Sequence, residues 1–410
     1  MKIAWFTPFS EMNGISRYSR LITQELVNRC NVDLWISEDS HLLPTELKIF
    51  HYHSHDDLSR RLNQYDFLVY NMGNNLDFHK DIYEISKKQR GIIILHDVVM
   101  HHFFAGYYLT HKQDQNGYAH DMERLYGKNG KIIATKSLTC KCVPIWETEE
   151  VIKYPFFEKA IEGAIGVISH SYYAINKMRL KFSGVAEVLY HPCIFDRENT
   201  SVNRRKADLG IPEDKILMVT VGHVNPNKRI DKVIEIFGKK KDIAQKAFYC
   251  VIGPKNQAQY IELLQSLIKK YKLYNSVKLL GFQSDAIVSA YMQNADIFLN
   301  LRFPAIEAAS WSLVEQLSLG KPAIVTDTGF YAEIPDDCVI KVKRNNEKKD
   351  IYRALKRLME DEQLRNVTGT KAKNFVLENF TIDQYRDKIF AFLKKLGNSK
   401  SVQRHFDAIG

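Results

Sequence analysis

Short apolar runs alternate with amphipathic stretches along the whole chain. In the first half the apolar runs predict strands at 2–6, 32–36, 67–70, 92–95, 167–169 and 186–190, with helices at 15–28, 80–88 and 172–180. The second half predicts strands at 216–221, 247–252, 277–280, 296–300, 323–326 and 339–342, and helices at 230–237, 258–271, 286–293, 312–319 and 348–359. Strand–helix alternation with short loops means doubly wound parallel sheets. The pattern occurs twice, and the polar stretch Phe195-Asp-Arg-Glu-Asn-Thr-Ser-Val-Asn203 separates the two runs. The expected fold is therefore α/β, with two Rossmann-like domains: residues 1–195 and 196–381. A last helix, 382–396, is expected to lead the 382–410 tail back to the first domain.

Residues 101–157 interrupt the alternation with aromatic, histidine and lysine residues, as in His101-His-Phe-Phe104 and Tyr107-Tyr-Leu-Thr-His-Lys112. They are expected to form helices inserted on the first domain. Two readings stand: a helical excursion with its own small core, and a lid or membrane-facing surface built on basic and aromatic side chains.

The chain has 410 residues, ample for two cores. An apolar content of 45% and a charged content of 26% are those of a water-soluble globular protein. The opening residues lack the charged and apolar regions of a secretory signal, and no apolar run is long enough to span a bilayer. The 6 cysteines are scattered, which fits a reducing cytoplasm. Cys140-Lys-Cys142 is the one close pair, and it lacks a second pair at zinc-ligand spacing. The 58 basic residues exceed the 48 acidic ones, giving +10 and favouring anionic partners. No arginine-rich tail or nucleic-acid module is present, so nucleic acid is not an expected partner.

Candidate chemistry collects where predicted strands end, the edge at which open α/β sheets bind ligands. Glu307-Ala-Ala-Ser-Trp-Ser-Leu-Val-Glu315 sets two carboxylates in a strand-to-helix turn. They suit the binding of sugar or ribose hydroxyls, although two solvated helix carboxylates give the same spacing. Gly14, before the first helix, allows a backbone N–H to approach an anion. Asn74 and His79 follow the third strand, and His96-Asp97 the fourth. His96 suits sugar binding or proton transfer, against a satisfied structural histidine. In Gly222-His223-Val-Asn-Pro-Asn-Lys228-Arg229, two cations at a helix start oppose the helix dipole unless an anion sits there. The chain has no Gly-x-Gly-x-x-Gly at its first turn, which counts against a dinucleotide cofactor. It also has no Asp-x-Asp to seat a divalent ion on a nucleotide diphosphate.

Taken together, these stretches resemble the retaining GT-B glycosyltransferases of the family-4 class. The likeness is densest from Gly222 to Pro335 and includes Gly281-Phe282, Ala295-Asp296, Gly320-Lys-Pro322 and Gly329-Phe-Tyr-Ala-Glu333. It implies a metal-independent, retaining transferase that needs no cofactor and uses a nucleotide-sugar donor. The implied acceptor is a glycan, lipid-linked or protein acceptor. The implied setting is bacterial surface polysaccharide synthesis in the cytoplasm, peripheral to the inner face of the plasma membrane.

By the same resemblance Lys228, assisted by Arg229, holds the donor diphosphate, and Glu315 bonds the ribose. Glu307 bonds the transferred sugar, Phe282 lies along the base, and His96 faces the reacting sugar as a catalytic residue with Glu307. Gly14, Gly222, His223, Ser312 and Leu313 complete the donor site, and Asn74, His79 and Asp97 the acceptor or sugar side. Two departures stand out: His223 replaces the usual arginine, and Ala308-Ala-Ser310 replaces a Gly-x-Gly that brings backbone N–H groups to phosphate or sugar. They support an alternative, a catalytically weak protein that binds a glycan or another transferase. A sugar-nucleotide epimerase or phosphorylase on the same scaffold is a further alternative.

Overall fold

The computed structural model describes residues 1–10, 14–37, 41–54, 57–139, 143–193 and 204–398. The chain forms two compact units. The first comprises Met1–His191, Ile306–Ala309 and the chain from Ile382 on; the second comprises Pro192–Ala305 and Ser310–Thr381. The predicted boundary stretch 195–203 and the Cys140–Cys142 pair fall on or across residues outside the described ones.

The first unit holds seven strands: β1 (Lys2–Phe6), β2 (Asn31–Ile36), β3 (Lys48–His51), β4 (Phe67–Met72), β5 (Ile92–Leu95), β6 (Gly166–Ser169) and β7 (Val185–Val188). They order as β3-β2-β1-β4-β5-β6-β7, and every neighbouring pair is parallel. The central strands are buried along their length, which is why they read as unbroken apolar runs rather than alternating ones. The strand order turns around between β1 and β4, the position at which open α/β sheets bind ligands.

β3 was not expected. Lys-Ile-Phe-His at a sheet edge is only partly buried, and four residues carry too little pattern to separate them from a loop. The 101–157 stretch forms the helices His101–Gly106 and Gln115–Thr139, the latter kinked at Gly127, with short 3-10 turns after them. Phe103, Phe104, Tyr118 and Phe156 are all fully buried in the first unit's core. These aromatics therefore make a core, as the blander reading expected. The helix Ile382–Gly397 packs in the same unit, with Tyr385, Ile389 and Leu393 buried and the Tyr385 hydroxyl bonded to that of Tyr18.

The second unit holds β8 (Ile216–Val221), β9 (Ala247–Ile252), β10 (Val277–Gly281), β11 (Ile297–Asn300), β12 (Ala323–Thr326) and β13 (Ile340–Val342). Their order is β10-β9-β8-β11-β12-β13, all parallel, with the turn-around between β8 and β11. Its core gathers Ile230, Ile234, Phe237, Tyr249, Leu264 and Leu355. The helix Glu362–Asn379 was missed, because its buried face is a narrow line of Thr368, Gly369, Ala372 and Val376 rather than a wide apolar stripe.

At the carboxyl edge of this sheet the backbones of β8 and β9 converge. Gly253 has φ +150°, and a Cβ there would lie 2.2 Å from the carbonyl oxygen of Gly222. The contact is backbone on backbone and has no flexible side chain to yield. Gly253→Ala is expected to lower the unfolding free energy in denaturant titrations by about 1–3 kcal/mol. Gly163→Ala, at φ +84° with open space around it, isolates the conformational cost. It is expected to fall at the low end of that range.

Candidate functional site

In the second unit the loop after β8 builds a cation pocket. Lys228 is 5% exposed, and its Nζ donates to the Val221 carbonyl at 2.7 Å. Gly222 has φ +103°, and a Cβ there would meet that Nζ at 2.9 Å, so the glycine leaves the space the ammonium occupies. Asn225 Oδ1 and Asn227 Oδ1 in the same loop are buried acceptors with no hydrogen-bond partner among the described residues. His223 lies at the surface. Partial desolvation of its ring, then the nearby Lys228, hold its pKa below the usual range.

Arg229 is turned away from this role in a way the sequence did not reveal. It sits at φ +58°, in the left-handed region, and forms a two-pronged pair with Glu347: Nε to Oε1 at 2.8 Å and Nη2 to Oε2 at 2.7 Å. Arg344 adds a third bond to Oε2 at 3.0 Å. The pair is buried, so the expected clash of Arg229 with the helix dipole is offset by an acid 118 residues away in sequence. No local pattern in the chain announced Glu347 as its partner.

The helix Trp311–Ser318 carries Ser312, Leu313 and Glu315. Ser310 caps it, accepting from the Leu313 N–H at 3.3 Å. Ser312 Oγ accepts from Asn300 Nδ2 at 3.2 Å, and Leu313 is fully buried. Phe282, just beyond β10, is 72% exposed and presents a bare aromatic face. Gly14 opens the helix Gly14–Leu26 of the first unit and is exposed.

Glu307 does not stay with Glu315. The stretch Ile306–Ala309 belongs to the first unit, bonded to the backbone that follows β5. Val98 N and Val99 N both donate to the Ile306 carbonyl, at 2.8 and 3.0 Å, and Ala308 N donates to the His96 carbonyl at 2.9 Å. Asp97 and Glu307 pair as an antiparallel bridge. The first unit thereby gathers Asn74, His79, His96, Asp97 and Glu307.

Within that cluster the roles separate. The Asp97 carboxyl is pushed up to about 7, first by burial and then by Glu307, while the Asn74 N–H bonding Oδ2 at 2.8 Å pulls it down. Asn74 Oδ1 accepts from Phe103 N at 2.9 Å, which ties the side chain to the inserted helix. His79 is 1% exposed, its Nδ1 donates to the Asn71 carbonyl at 3.0 Å, and burial lowers it to about 4. A Cβ on Gly73 would come within 2.9 Å of His79 Nε2 and 3.3 Å of Asp97 Oδ2. His79 is thus a neutral, enclosed ring beneath the Gly73 loop. His96 has both ring nitrogens occupied: Nε2 faces Asn71 Oδ1 at 3.1 Å and Nδ1 faces His170 Nε2 at 3.1 Å. Asn71 and His170 were not among the expected site residues; Asn71 lies inside β4, and His170 directly follows β6.

No group of His, Cys, Asp and Glu side chains among the described residues could hold a metal ion. No helix among them is long and apolar enough to cross a membrane.

Two parallel sheets, each with a strand-order reversal and polar loops at its carboxyl edge, define the GT-B fold. Residues 201–375 match the family described as glycosyl transferases group 1. The chain is 26% identical over 188 residues to an uncharacterized glycosyltransferase of Methanocaldococcus jannaschii, covering 43% of this chain and 45% of that protein. It is 28% identical over 174 residues to the alpha-monoglucosyldiacylglycerol synthase of Acholeplasma laidlawii, covering 42% of this chain and 41% of that one. The chain thus spans less than half the length of these curated relatives. Among solved structures it resembles Anabaena HepE in complex with UDP-glucose, with a TM-score of 0.63, 16% identity and coverage of 96% and 100%. It also resembles WaaG, a glycosyltransferase involved in lipopolysaccharide biosynthesis, with a TM-score of 0.58, 14% identity and coverage of 97% and 100%. At these identities the likeness establishes the fold.

Two outcomes are expected from this geometry. Glu347→Ala strands a buried guanidinium and is expected to cost about 3–5 kcal/mol in the unfolding free energy. For Asp97, the folded pKa of about 7 lies above its ordinary 3.8, so the folded state holds the proton longer than the unfolded one. Its contribution to stability therefore falls as pH rises from about 4 to about 7 and stays low above that. Asp97→Asn is expected to raise the melting temperature above pH 7, with the gain shrinking to nothing near pH 4 when melting is followed across that range.

Proposed function

We propose that this protein moves a hexose or similar sugar from a nucleotide-sugar donor to a glycan, lipid-linked or protein acceptor, with retention at the anomeric carbon and without a metal ion. The observation that carries the reading is the buried Lys228 ammonium beside Gly222, at the end of β8 in the matched domain. A fixed cation at a strand's carboxyl edge suits a diphosphate and needs no bridging ion. The absence of an Asp-x-Asp agrees with that.

In this reading Lys228 stabilises the charge that grows on the departing diphosphate, and the helix Trp311–Ser318 offers Glu315 to the ribose and Ser312 and Leu313 to the donor. Glu307, with Asp97 beside it, bonds hydroxyls of the transferred sugar. The departing phosphate accepts the acceptor's proton on the face where the sugar leaves, so configuration is retained without a protein nucleophile. Charge stabilisation at the leaving group supplies most of the rate. Attack by Glu307 itself, a two-step displacement, ranks second. The name of one relative, an alpha-monoglucosyldiacylglycerol synthase, supports a lipid acceptor.

One observation favours a catalytically weak binding protein instead. The Ala308 N–H, which sits where the family offers backbone donors to its ligand, is spent on the His96 carbonyl, and Ala308 is fully buried.

A thermal-shift screen against nucleoside diphosphates and their sugars separates the readings. The transferase reading expects one nucleotide to raise the melting temperature equally with and without chelator. It also expects Lys228→Ala, verified as folded, to lower donor turnover by about 10²–10³-fold. A nucleotide-induced rise with no turnover on any acceptor favours the binding protein; no rise with any nucleotide removes Lys228 and Glu315 as donor ligands.

A further inference from the structure

Three hydrogen-bonding contacts of His96 and His170 cannot all be made by neutral rings. The Asn71 side chain is oriented by its Nδ2, which donates to the Phe6 carbonyl at 2.9 Å, so its Oδ1 faces His96. His96 Nε2, 3.1 Å from that oxygen, must carry a hydrogen. At the other end His170 Nδ1 lies 2.9 Å from the Leu189 carbonyl and must carry one too. A neutral imidazole has a single N–H, and each ring has now used its own. The remaining nitrogens, His96 Nδ1 and His170 Nε2, face each other at 3.1 Å. In neutral rings that contact would set lone pair against lone pair. Turning the Asn71 amide over does not help, because it would place Oδ1 against the Phe6 carbonyl.

We infer that His96 and His170 hold one proton in common, as an imidazole–imidazolium couple, and that His170 is the positioning residue that sets the orientation and charge of His96. The ring of His96 is then held at both nitrogens and meets a ligand through its charge rather than through a free N–H.

The surroundings define how the couple titrates. Tyr18, from the helix Gly14–Leu26, packs its ring against His96, His170 and His191 at centroid distances of 4.9, 5.4 and 4.8 Å, and its hydroxyl bonds Tyr385. His191, after β7, lies 5.2 Å from His170, and His79 stands on the far side of Asn71 as a neutral ring. Asp97 and Glu307 supply carboxyls along the same edge. Burial pushes both imidazoles down, His170 to about 4, and charge on His170, His191 or His79 lowers His96 further. Burial thus opposes a charge on the couple, and the hydrogen-bond count demands one. The outcome is a single proton bound and released by the two rings together.

The shared proton is independent of the reaction proposed above; only its effect on turnover rests on that reading. The test is histidine nitrogen NMR of the full chain across pH, in wild type and in His170→Gln. The wild-type chain is expected to show His96 and His170 titrating in one concerted step, with a far-downfield, exchange-protected proton between them at neutral pH. In His170→Gln the side-chain amide donates to His96 Nδ1, so the variant should keep His96 as a neutral ring with hydrogen on Nε2 and lose the concerted step. If the chain turns over a donor, this variant should also flatten the matching limb of the kcat–pH profile and leave the donor KM within about twofold. Independent titration of the two rings in wild type, each with one protonated nitrogen at neutral pH, overturns the inference. An unchanged His96 spectrum in His170→Gln does the same. A concerted step in a chain that turns over no donor upholds the couple and removes the transfer reading alone.

Discussion

Every neighbouring strand pair in both sheets runs parallel, and most of what the molecule presents to a ligand follows from that. Parallel pairing needs a crossover, usually a helix, between successive strands, so the strands all finish at one edge of their sheet. The backbone groups at that edge lie beyond the ladder and need partners from loops. In the first unit the edge after β5 is sealed by N–H bonds to and from Ile306–Ala309, and the carboxylate of Glu307 is carried there by backbone geometry. In the second unit the edge after β8 is closed by Gly222 N donating to the Ile252 carbonyl, which leaves the Val221 carbonyl to hold Lys228.

The two edges solve the problem of charge differently. Around Lys228 the cation is held at the Val221 carbonyl, with buried acceptors of Asn225 and Asn227 close by in sequence, while its neighbour Arg229 is neutralised by Glu347. Around His96 the groups are weak acids and bases whose ordinary ionisation is opposed by burial: a carboxyl near 7 and histidines near 4. Acids and bases shifted by burial in this way gather at functional sites more often than elsewhere.

What the sequence made legible was the part governed by short-range rules. Buried parallel strands such as β4, β5, β8 and β9 are apolar at nearly every position, and the polar residues following them had to lie at the sheet edge. That rule placed Lys228 in the loop after β8 and His96 and Asp97 directly after β5. The rest depends on contacts between distant positions. Arg229 looked like a phosphate ligand because Glu347 lies far along the chain, and Asn71, just past the predicted strand at 67–70, gave no local sign of its partners Phe6 and His96. His170 follows β6 in a Ser-His-Ser context with no periodic mark. β3 and the helix Glu362–Asn379 were missed because one is four residues at an edge and the other buries only small side chains.

The assignment of Ile306–Ala309 to the first unit has a practical consequence for anyone recombining such proteins. A cut at the visible boundary near residue 192 would give two halves that look self-contained, yet the second half would leave with four residues that complete the first. The graft on the other side would inherit a β5 edge with Val98 and Val99 N–H groups unanswered and Asp97 without its bridge. A working chimera must therefore take its 306–309 segment from the same parent as its 96–99 loop, which makes these two short stretches one heritable module despite the two hundred residues between them.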